Sequence, residues 1–264
     1  MSKRVSLKDI AKNVGVSTAL VSYVMNGLEK EKRVGPEVVK KIKQVARELN
    51  YKPNHIARSL RKGSTNTIGL IVADIANPFF GQLARIIEDE AARHHYTVII
   101  GSSDENCIKS ASLIETFLDR QVDGFIMVPS EGCQEQIEAL VERKVPVVLL
   151  DRFVPEVKTS FIVLDNFKAT YEAVDHLVEK GYRKIGMIAY HTSLIHMQER
   201  INGYRQAMKD HQLEEVIQVK ELSYSRVKED MEKAVDEMFT GSIRPDALLF
   251  ATSILSVTGL YAIR

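Results

Sequence analysis

The chain has 264 residues, 45% of them hydrophobic, which is enough for a sizeable core beside a smaller module. Residues 1–63 carry 15 Lys and Arg against 5 Asp and Glu, a net charge of +10, whereas residues 64–264 carry 21 against 30, a net charge of −9. No apolar run approaches the roughly 18 residues of a membrane helix, no secretory signal is recognisable, and the two cysteines are isolated, so we expect a soluble, cytoplasmic protein with reduced thiols.

Two short helices joined by a tight turn are predicted for residues 7–26. Ser6 followed by Asp9 is a capping-box start, Gly15 suits the turn, and Ser17 is a good N-cap for the second helix. Apolar residues recur at helical spacing on both helices: Leu7, Ile10, Ala11, Val14, Val21, Val24 and Met25. The pattern indicates a helix-turn-helix, although an ordinary helical hairpin has the same periodicity.

Once these apolar stripes are buried, the second helix presents Thr18, Ala19, Ser22 and Tyr23 outward. A helix of this size fits a DNA major groove. The excess of basic residues coincides with this pattern and favours DNA as the partner over a solvated basic surface or a membrane.

A third helix is predicted from about Pro36 to Leu49, since Pro and an acidic residue open it and Pro53 follows its end. Residues 54–60 form a segment too short to be stable as a lone helix in water. Arg58 lies within it, Arg61 and Lys62 follow it directly, and it joins the basic module to the acidic body.

Strand-like and helical patterns alternate through the acidic body, which predicts parallel sheets with helices on both faces. The strand runs are Thr67–Ala73, Thr97–Gly101, Gly124–Val128, Val145–Leu150, Phe161–Leu164, Ile185–Tyr190, Gln218–Leu222 and Ala247–Ala251. Residues 151–159 have no helical pattern and are the expected crossover between two lobes.

Ligands of open parallel sheets bind beyond the carboxyl ends of the strands. Residues expected there are Asp74, Phe79, Phe80, Asp151 and Asp165, with Arg200 beside them. Carboxylates and a guanidinium suit a polyhydroxylated ligand, because each makes paired hydrogen bonds. Phe79 and Phe80 have a second interpretation as core residues, and Asp165 as a helix cap.

Enzyme chemistry has little support in the sequence, and we expect a protein without catalytic residues, cofactor or bound metal. There is no Gly-x-x-x-x-Gly-Lys-Ser/Thr loop, no Gly-x-Gly-x-x-Gly after a strand and no His-Glu-x-x-His. The seven histidines are scattered without metal-ligand spacing.

Taken together, the chain resembles the LacI/GalR family of bacterial transcription regulators over essentially its whole length. The matching strings include Leu7-Lys-Asp-Ile-Ala11, Gly15-Val-Ser17, Val24-Met-Asn26, Glu48-Leu-Asn-Tyr-Lys-Pro-Asn54, Ile56-Ala-Arg-Ser-Leu-Arg61, Thr67-Ile-Gly-Leu-Ile71, Asn77-Pro-Phe-Phe80 and Val122-Asp-Gly124.

The resemblance implies a homodimeric repressor of double-stranded operator DNA, controlled by a small-molecule effector such as a sugar or sugar phosphate. It implies a headpiece (1–50), a hinge helix (51–63) that folds on operator, and two Rossmann-like lobes of a periplasmic-binding-protein-like body (64–155 and 156–264). The implied DNA-binding residues are Ser6, Ser17, Thr18, Ala19, Leu20, Ser22, Tyr23, Asn26, Asn54, His55, Ala57, Arg58 and Leu60, with Leu60 wedging into the minor groove.

Three departures from the family pattern bear on these expectations. Tyr23 and Leu20 stand where family members commonly have Arg and Thr, which predicts a different half-site, since Tyr cannot clamp a guanine as Arg does. Ser253 and Ile254 replace a usual Asn-Asp and remove a hydroxyl-binding group. The sequence also stops at Arg264, short of the family's further strands, and we expect exposed sheet edges and poor stability. The alternative function is a periplasmic-type sugar receptor.

Overall fold

The computed structural model describes residues 5–51 and 63–263. Contacts divide the chain into two compact units, Met1–Thr65 and Asn66–Arg264. The first unit is helical and the second contains two parallel β-sheets, which confirms the predicted fold class.

Three helices build the first unit: α1 (Leu7–Val14), α2 (Thr18–Met25) and α3 (Pro36–Glu48). The capping box is formed, since Ser6 Oγ accepts a hydrogen bond from the Asp9 amide and Asp9 Oδ2 accepts one from the Ser6 amide at 2.8 Å. Gly15 ends α1 in the left-handed region at φ 79°, as the tight turn requires. The predicted capping box and the predicted glycine turn are therefore both formed.

The core of the first unit lies where the three apolar helix stripes meet. Its fully buried members are Ile10, Ala11, Val14, Val21, Val24, Ile42 and Ala46. Because this cluster is made only of residues from α1, α2 and α3, the polar sides of these helices face solvent, and Lys40, Lys41, Lys43 and Arg47 are exposed on α3.

The first lobe of the second unit is a five-stranded parallel sheet in the order β2-β1-β3-β4-β5. Its strands are β1 (Thr67–Val72), β2 (Thr97–Ser102), β3 (Gly124–Met127), β4 (Val147–Leu150) and β5 (Ser160–Ile162), and its helices are α4 (Pro78–Arg93), α5 (Cys107–Asp119) and α6 (Gln134–Glu142). On β1, Leu70 and Val72 pack with α4, whereas Ile71 packs with α5 and α6, so helices cover both faces.

The second lobe is a three-stranded parallel sheet in the order β7-β6-β8. Its strands are β6 (Ile185–Tyr190), β7 (Gln218–Leu222) and β8 (Ala247–Phe250), and its helices are α7 (Asn166–Glu179), α8 (Ile195–Asp210), α9 (Val227–Thr240) and α10 (Ser253–Ala262). One apolar cluster joins this sheet to its helices, and β6 is buried along its whole length. Every predicted strand run coincides with a strand to within about two residues.

The passage between the lobes differs from the expectation. Residues 151–159 were predicted as the crossover and 156 as the start of the second lobe, but β5 follows them and pairs in parallel with β4 of the first sheet. Val148, Leu149 and Leu150 are in register with residues 160–162. The crossover therefore follows Ile162, because backbone pairing at the edge of the first sheet holds β5 there.

Within the two described ranges, every helix is too short or too polar to cross a lipid bilayer.

Candidate functional site

Helix α2 presents part of the predicted DNA-reading surface to solvent. Thr18 and Ala19 are exposed, whereas Leu20, Ser22 and Tyr23 are half-buried beside the helix core. The two faces of the helix differ because Val21 and Val24 are the fully buried residues. The exposed first turn of α2 is thus free to approach a groove end-on.

Three of the predicted DNA-binding residues also hold helix ends. Ser17 Oγ accepts a hydrogen bond from the Leu20 amide at 3.2 Å and so caps α2. Asn26 donates from Nδ2 to the Ser22 carbonyl at 2.6 Å at the other end of the same helix. Ser6 caps α1. All three are exposed, so each can contact a ligand while fixing a helix end.

A basic side chain lies beside this surface. Lys32 Nζ lies 5.9 Å from the centre of the Tyr23 ring, within the range of a cation–π contact. The basic residues of α3 are exposed, and Lys43 pairs with Glu29 at 2.8 Å. The predicted hinge residues Asn54, His55, Ala57, Arg58 and Leu60 lie outside the described residues.

A cleft of about 420 Å³ lies between the two lobes of the second unit. Residues that follow the carboxyl ends of strands contribute to its walls, as expected for parallel sheets. Four of the six predicted effector residues line it: Phe79, Phe80, Asp151 and Arg200. The interpretation of this region as a binding cleft therefore rests on residues from both sheets.

Asp151 and Arg200 bring opposite charges into the cleft from different lobes. Arg200 donates from Nε to Asn166 Oδ1 at 2.8 Å and from Nη1 to the Ala251 carbonyl at 2.6 Å, which fixes its side chain. Asp151 accepts no hydrogen bond from any residue in 5–51 or 63–263. Burial raises the pKa of Asp151, while the charges of Arg152 and Arg200 oppose that rise. Asp151 thus lines the cleft with its nearest cation, Arg152, at 3.8 Å.

The sequence reasoning missed a buried, two-point ion pair in the wall of the cleft. Arg152 donates from Nη1 to Glu105 Oε2 at 2.7 Å and from Nη2 to Glu105 Oε1 at 2.6 Å, and also to the Pro129 carbonyl at 3.2 Å. Its Nε lies 3.8 Å from Asp151 Oδ2. Glu105 follows β2 and Arg152 follows β4, so the same carboxyl-end argument that selected Asp151 applies to both.

His196 was also missed, because its pattern on α8 is that of an ordinary helix residue. It lines the cleft, is 8% exposed, and its Nδ1 has no hydrogen-bond partner in the described part of the chain. Burial and the charges of Arg152 and Arg200 lower its pKa to about 3. His196 is therefore neutral near pH 7 and offers an uncharged hydrogen-bonding group.

Phe79 and Phe80, which were predicted as cleft residues with a second interpretation as core residues, differ in their burial. Phe80 is 4% exposed and belongs to the core with α4, whereas Phe79 is 39% exposed, and their rings meet edge-on at 5.0 Å. Both line the cleft, together with Ile254. The cleft thus has an apolar wall beside its charged groups.

The remaining two predicted residues have structural partners and are absent from the cleft lining. Asp165 accepts a hydrogen bond from the Lys168 amide at 2.9 Å, so its alternative interpretation as the N-cap of α7 describes its contact. Asp74 accepts a hydrogen bond at 2.8 Å from the hydroxyl of Tyr224, which belongs to the second lobe. Asp74 thus joins the two lobes at the cleft, since Tyr224 lines it.

No group of three or more His, Cys, Asp and Glu side chains in the described ranges is arranged to hold a metal ion. Cys107 and Cys133 are free thiols.

Comparison with known proteins identifies both units. Residues 6–54 match the family described as "Bacterial regulatory proteins, lacI family", and residues 65–263 match "Periplasmic binding proteins and sugar binding domain of LacI family". Catabolite control protein A of Priestia megaterium is 33% identical over 207 residues, covering 78% of this chain and 61% of that protein. The ribose operon repressor of Halalkalibacterium halodurans is 32% identical, covering 80% of this chain and 62% of that protein. The chain thus spans about three fifths of the length of these relatives.

The fold has a solved counterpart over nearly the whole chain. The lac repressor dimer bound to operator and the anti-inducer ONPF superposes with a TM-score of 0.83, covering 99% of this chain and 78% of that chain at 23% identity. That identity supports the fold alone. Because the family matches extend over the helical unit and over almost all of the two-lobed unit, this chain belongs to the LacI family of bacterial regulatory proteins.

Proposed function

We propose that this chain is a sequence-specific DNA-binding transcription regulator, a repressor, that acts as a homodimer in the cytoplasm under the control of a small-molecule effector. The headpiece (1–50) reads operator DNA, residues 51–63 form the hinge, and the two lobes bind the effector. The observation that carries this proposal is the exposed first turn of α2 on a unit with a net charge of +10.

The proposed reading residues differ in what they can contribute. Thr18 offers a hydroxyl and a methyl group, and Ala19 offers apolar contact with a thymine methyl. Tyr23, half-buried beneath Lys32, contributes one hydrogen-bonding group on the same helix. Ser6, Ser17, Ser22 and Asn26 suit phosphate contacts, which fix register without reading bases.

The hinge proposal concerns Asn54, His55, Ala57, Arg58 and Leu60. An apolar side chain that enters the minor groove unstacks a base step and bends the duplex. Leu60→Ala is therefore expected to weaken binding to the operator far more than binding to random DNA. Equal losses on both duplexes would reject the wedge role of Leu60.

The effector proposed for the cleft is uncharged and polyhydroxylated. Glu105 neutralises Arg152, and Asp151 opposes Arg200, so the walls carry no net charge while His196 is neutral. Such walls favour hydroxyl groups over a phosphate, which would add an uncompensated negative charge to a cleft whose charges are already balanced. The curated relative named as a ribose operon repressor supports a sugar, and Phe79 and Ile254 can cover its apolar face.

The test is selection of bound duplexes from a random DNA library by the full chain at about 0.15 M salt, with and without D-ribose or cellobiose. We expect an inverted repeat to be enriched and at least one sugar to change its recovery. Lys41→Ala, on the exposed side of α3, serves as a control for non-specific binding. A selected pool without any inverted repeat would overturn the proposed function.

A further inference from the structure

The segment just before helix α8 is bound by a carboxylate from the other lobe. The N-cap residue of α8 is Leu194, whose apolar side chain cannot accept a hydrogen bond from the first-turn amides. Glu131 of the first lobe binds the two residues that precede Leu194. Its Oε1 accepts hydrogen bonds from the Ser193 amide at 3.0 Å and from Ser193 Oγ.

Thr192 extends this contact into the helix. Its Oγ1 donates to Glu131 Oε2 at 3.2 Å and accepts a hydrogen bond from the Leu194 amide at 3.2 Å. Gln198, one turn into α8, donates from Nε2 to the Thr192 carbonyl at 2.7 Å. Glu131 is thus linked through Thr192 and Ser193 to the first turn of α8.

The carboxylate also has the charge that this position favours. The amino end of a helix carries partial positive charge, and an anion beside it is stabilising. The hydrogen bonds from Ser193 and Thr192 lower the pKa of Glu131, so it is ionised at neutral pH.

Glu131 is held by its own lobe. It directly follows Ser130, which is buried and whose Oγ lies 3.1 Å from Ser103 Oγ. Gly132 follows at φ 79°, and the Cys133 amide donates to the Ser130 carbonyl at 3.3 Å. The position of Glu131 is therefore fixed relative to the rest of the first lobe.

Helix α8 carries three of the cleft residues within its first two turns, of which His196 and Arg200 are the polar ones and Met197 is apolar. We propose that Glu131 is a positioning residue, through which the first lobe anchors the segment before α8 and couples the separation of the lobes to the placement of His196 and Arg200. Opening of the cleft removes this anchor and loosens the helix start, so closure and the ordering of the ligand-binding groups occur together. The link to an effector depends on the proposed function, whereas the anchoring itself does not.

The test is amide hydrogen exchange of the full chain, without DNA or sugar, for Glu131→Ala, Glu131→Gln and the control Glu135→Ala. Glu135 is exposed on α6 of the same lobe and makes no hydrogen bond to the second lobe among the described residues. In Glu131→Ala we expect amides 193–197 to exchange about tenfold faster, the factor set by one or two lost hydrogen bonds. Glu131→Gln keeps an acceptor oxygen and is expected to recover part of the protection.

A second variant approaches the contact from the other lobe. Ser193→Ala removes the hydroxyl donor and leaves the first lobe intact, so we expect the same amides to exchange faster, by a smaller factor. Unchanged exchange at 193–197, or faster exchange spread evenly over both lobes in Glu131→Ala and Ser193→Ala, would overturn the positioning role. Either result can be obtained whether or not the chain binds operator DNA.

Discussion

Arg152 and Glu105 form a two-point ion pair in the wall of the cleft, with N–O distances of 2.7 Å and 2.6 Å and side chains that are 9% and 17% exposed. The pair joins the segments after β2 and β4, two strands that are not neighbours in the sheet. It therefore ties the two segments together at the carboxyl edge, where the cleft begins.

Loss of the Arg152 charge is expected to destabilise the second unit. Arg152→Met leaves Glu105 buried without its partner, and removing one member of a buried pair costs about 3 kcal/mol. Urea unfolding followed by circular dichroism measures this loss. The double variant Glu105→Gln/Arg152→Met should recover part of it, because position 105 then no longer carries an unpaired charge. If the double variant is destabilised by the sum of the two single changes, the pair contributes no coupling.

The close approach of α7 and α8 depends on Gly203. A Cβ at this position would lie 2.2 Å from the Phe167 carbonyl oxygen, so the helices must separate to admit it. We expect Gly203→Ala to lower the free energy of unfolding by about 2 kcal/mol, as in overpacked cores. The hydrogen bond from Arg200 to Asn166 spans the same two helices and should weaken with it.

Gly81→Ala is the matched control, since Gly81 also lies inside a helix but its Cβ would meet only the Ile75 carbonyl oxygen, at 3.9 Å. Replacing a helical glycine with alanine should stabilise by about 0.5 kcal/mol. Thermal unfolding measures the melting temperatures of Gly203→Ala and Gly81→Ala. Equal shifts of the two melting temperatures would contradict the steric argument.

Because of His196, the free energy of unfolding is expected to decrease in mild acid. The unfolded chain takes up a proton near pH 6.5, whereas the folded chain keeps His196 neutral until its pKa of about 3. The folded state therefore binds fewer protons between these values, and stability decreases as the pH falls through this window. Between pH 7 and pH 5 the wild type should lose about 2 kcal/mol more than His196→Gln.

The measurement is urea unfolding at pH 7, 6 and 5, with His94→Gln as the control because His94 is exposed on the surface of the same unit. That control should follow the wild type. Parallel stability curves for the wild type and His196→Gln would show that the imidazole is not held neutral by burial.

Tyr23 and Lys41 are expected to separate base reading from phosphate contact. Tyr23→Ala should weaken binding to the selected inverted repeat by about 1 kcal/mol and leave binding to scrambled duplex nearly unchanged. Lys41→Ala should weaken both equally and lower the salt slope of log K by about 1. Fluorescence anisotropy at several salt concentrations distinguishes the two. An equal effect of Tyr23→Ala on both duplexes would exclude it as a reading residue.

Local structure could be predicted from the sequence, because each local signal favours one backbone conformation of low free energy. The Ser6 and Asp9 box, Gly15 and the Pro36 helix start are all realised as predicted. The β1 run from Thr67 is buried between helices, as its continuous apolar character indicated. These features depend on neighbours within a few positions along the chain.

The lobe boundary and part of the cleft depend on contacts between residues far apart in the chain. They could therefore not be predicted from local sequence patterns. Nothing within residues 160–162 says which sheet they join, since the pairing with β4 is decided by tertiary contacts. Arg152 and Glu105 are 47 positions apart, and His196 has an unremarkable place on its helix. Strand-end position selected Asp151 and could have selected Glu105 and Arg152, whereas it gave no reason to choose His196.

All strands of the first sheet run in one direction, so Asp74, Glu105 and Asp151 each follow a different strand yet meet at one rim. The interior of the sheet is packed by other residues, such as Leu70, Ile71 and Leu149, which do not change when a rim residue does. The packing of the sheet interior therefore does not depend on the rim side chains, whereas the rim has contacts of its own, such as the pair of Glu105 with Arg152. Apolar packing thus belongs to positions within the strands, and the polar groups offered to the cleft belong to the positions just after them.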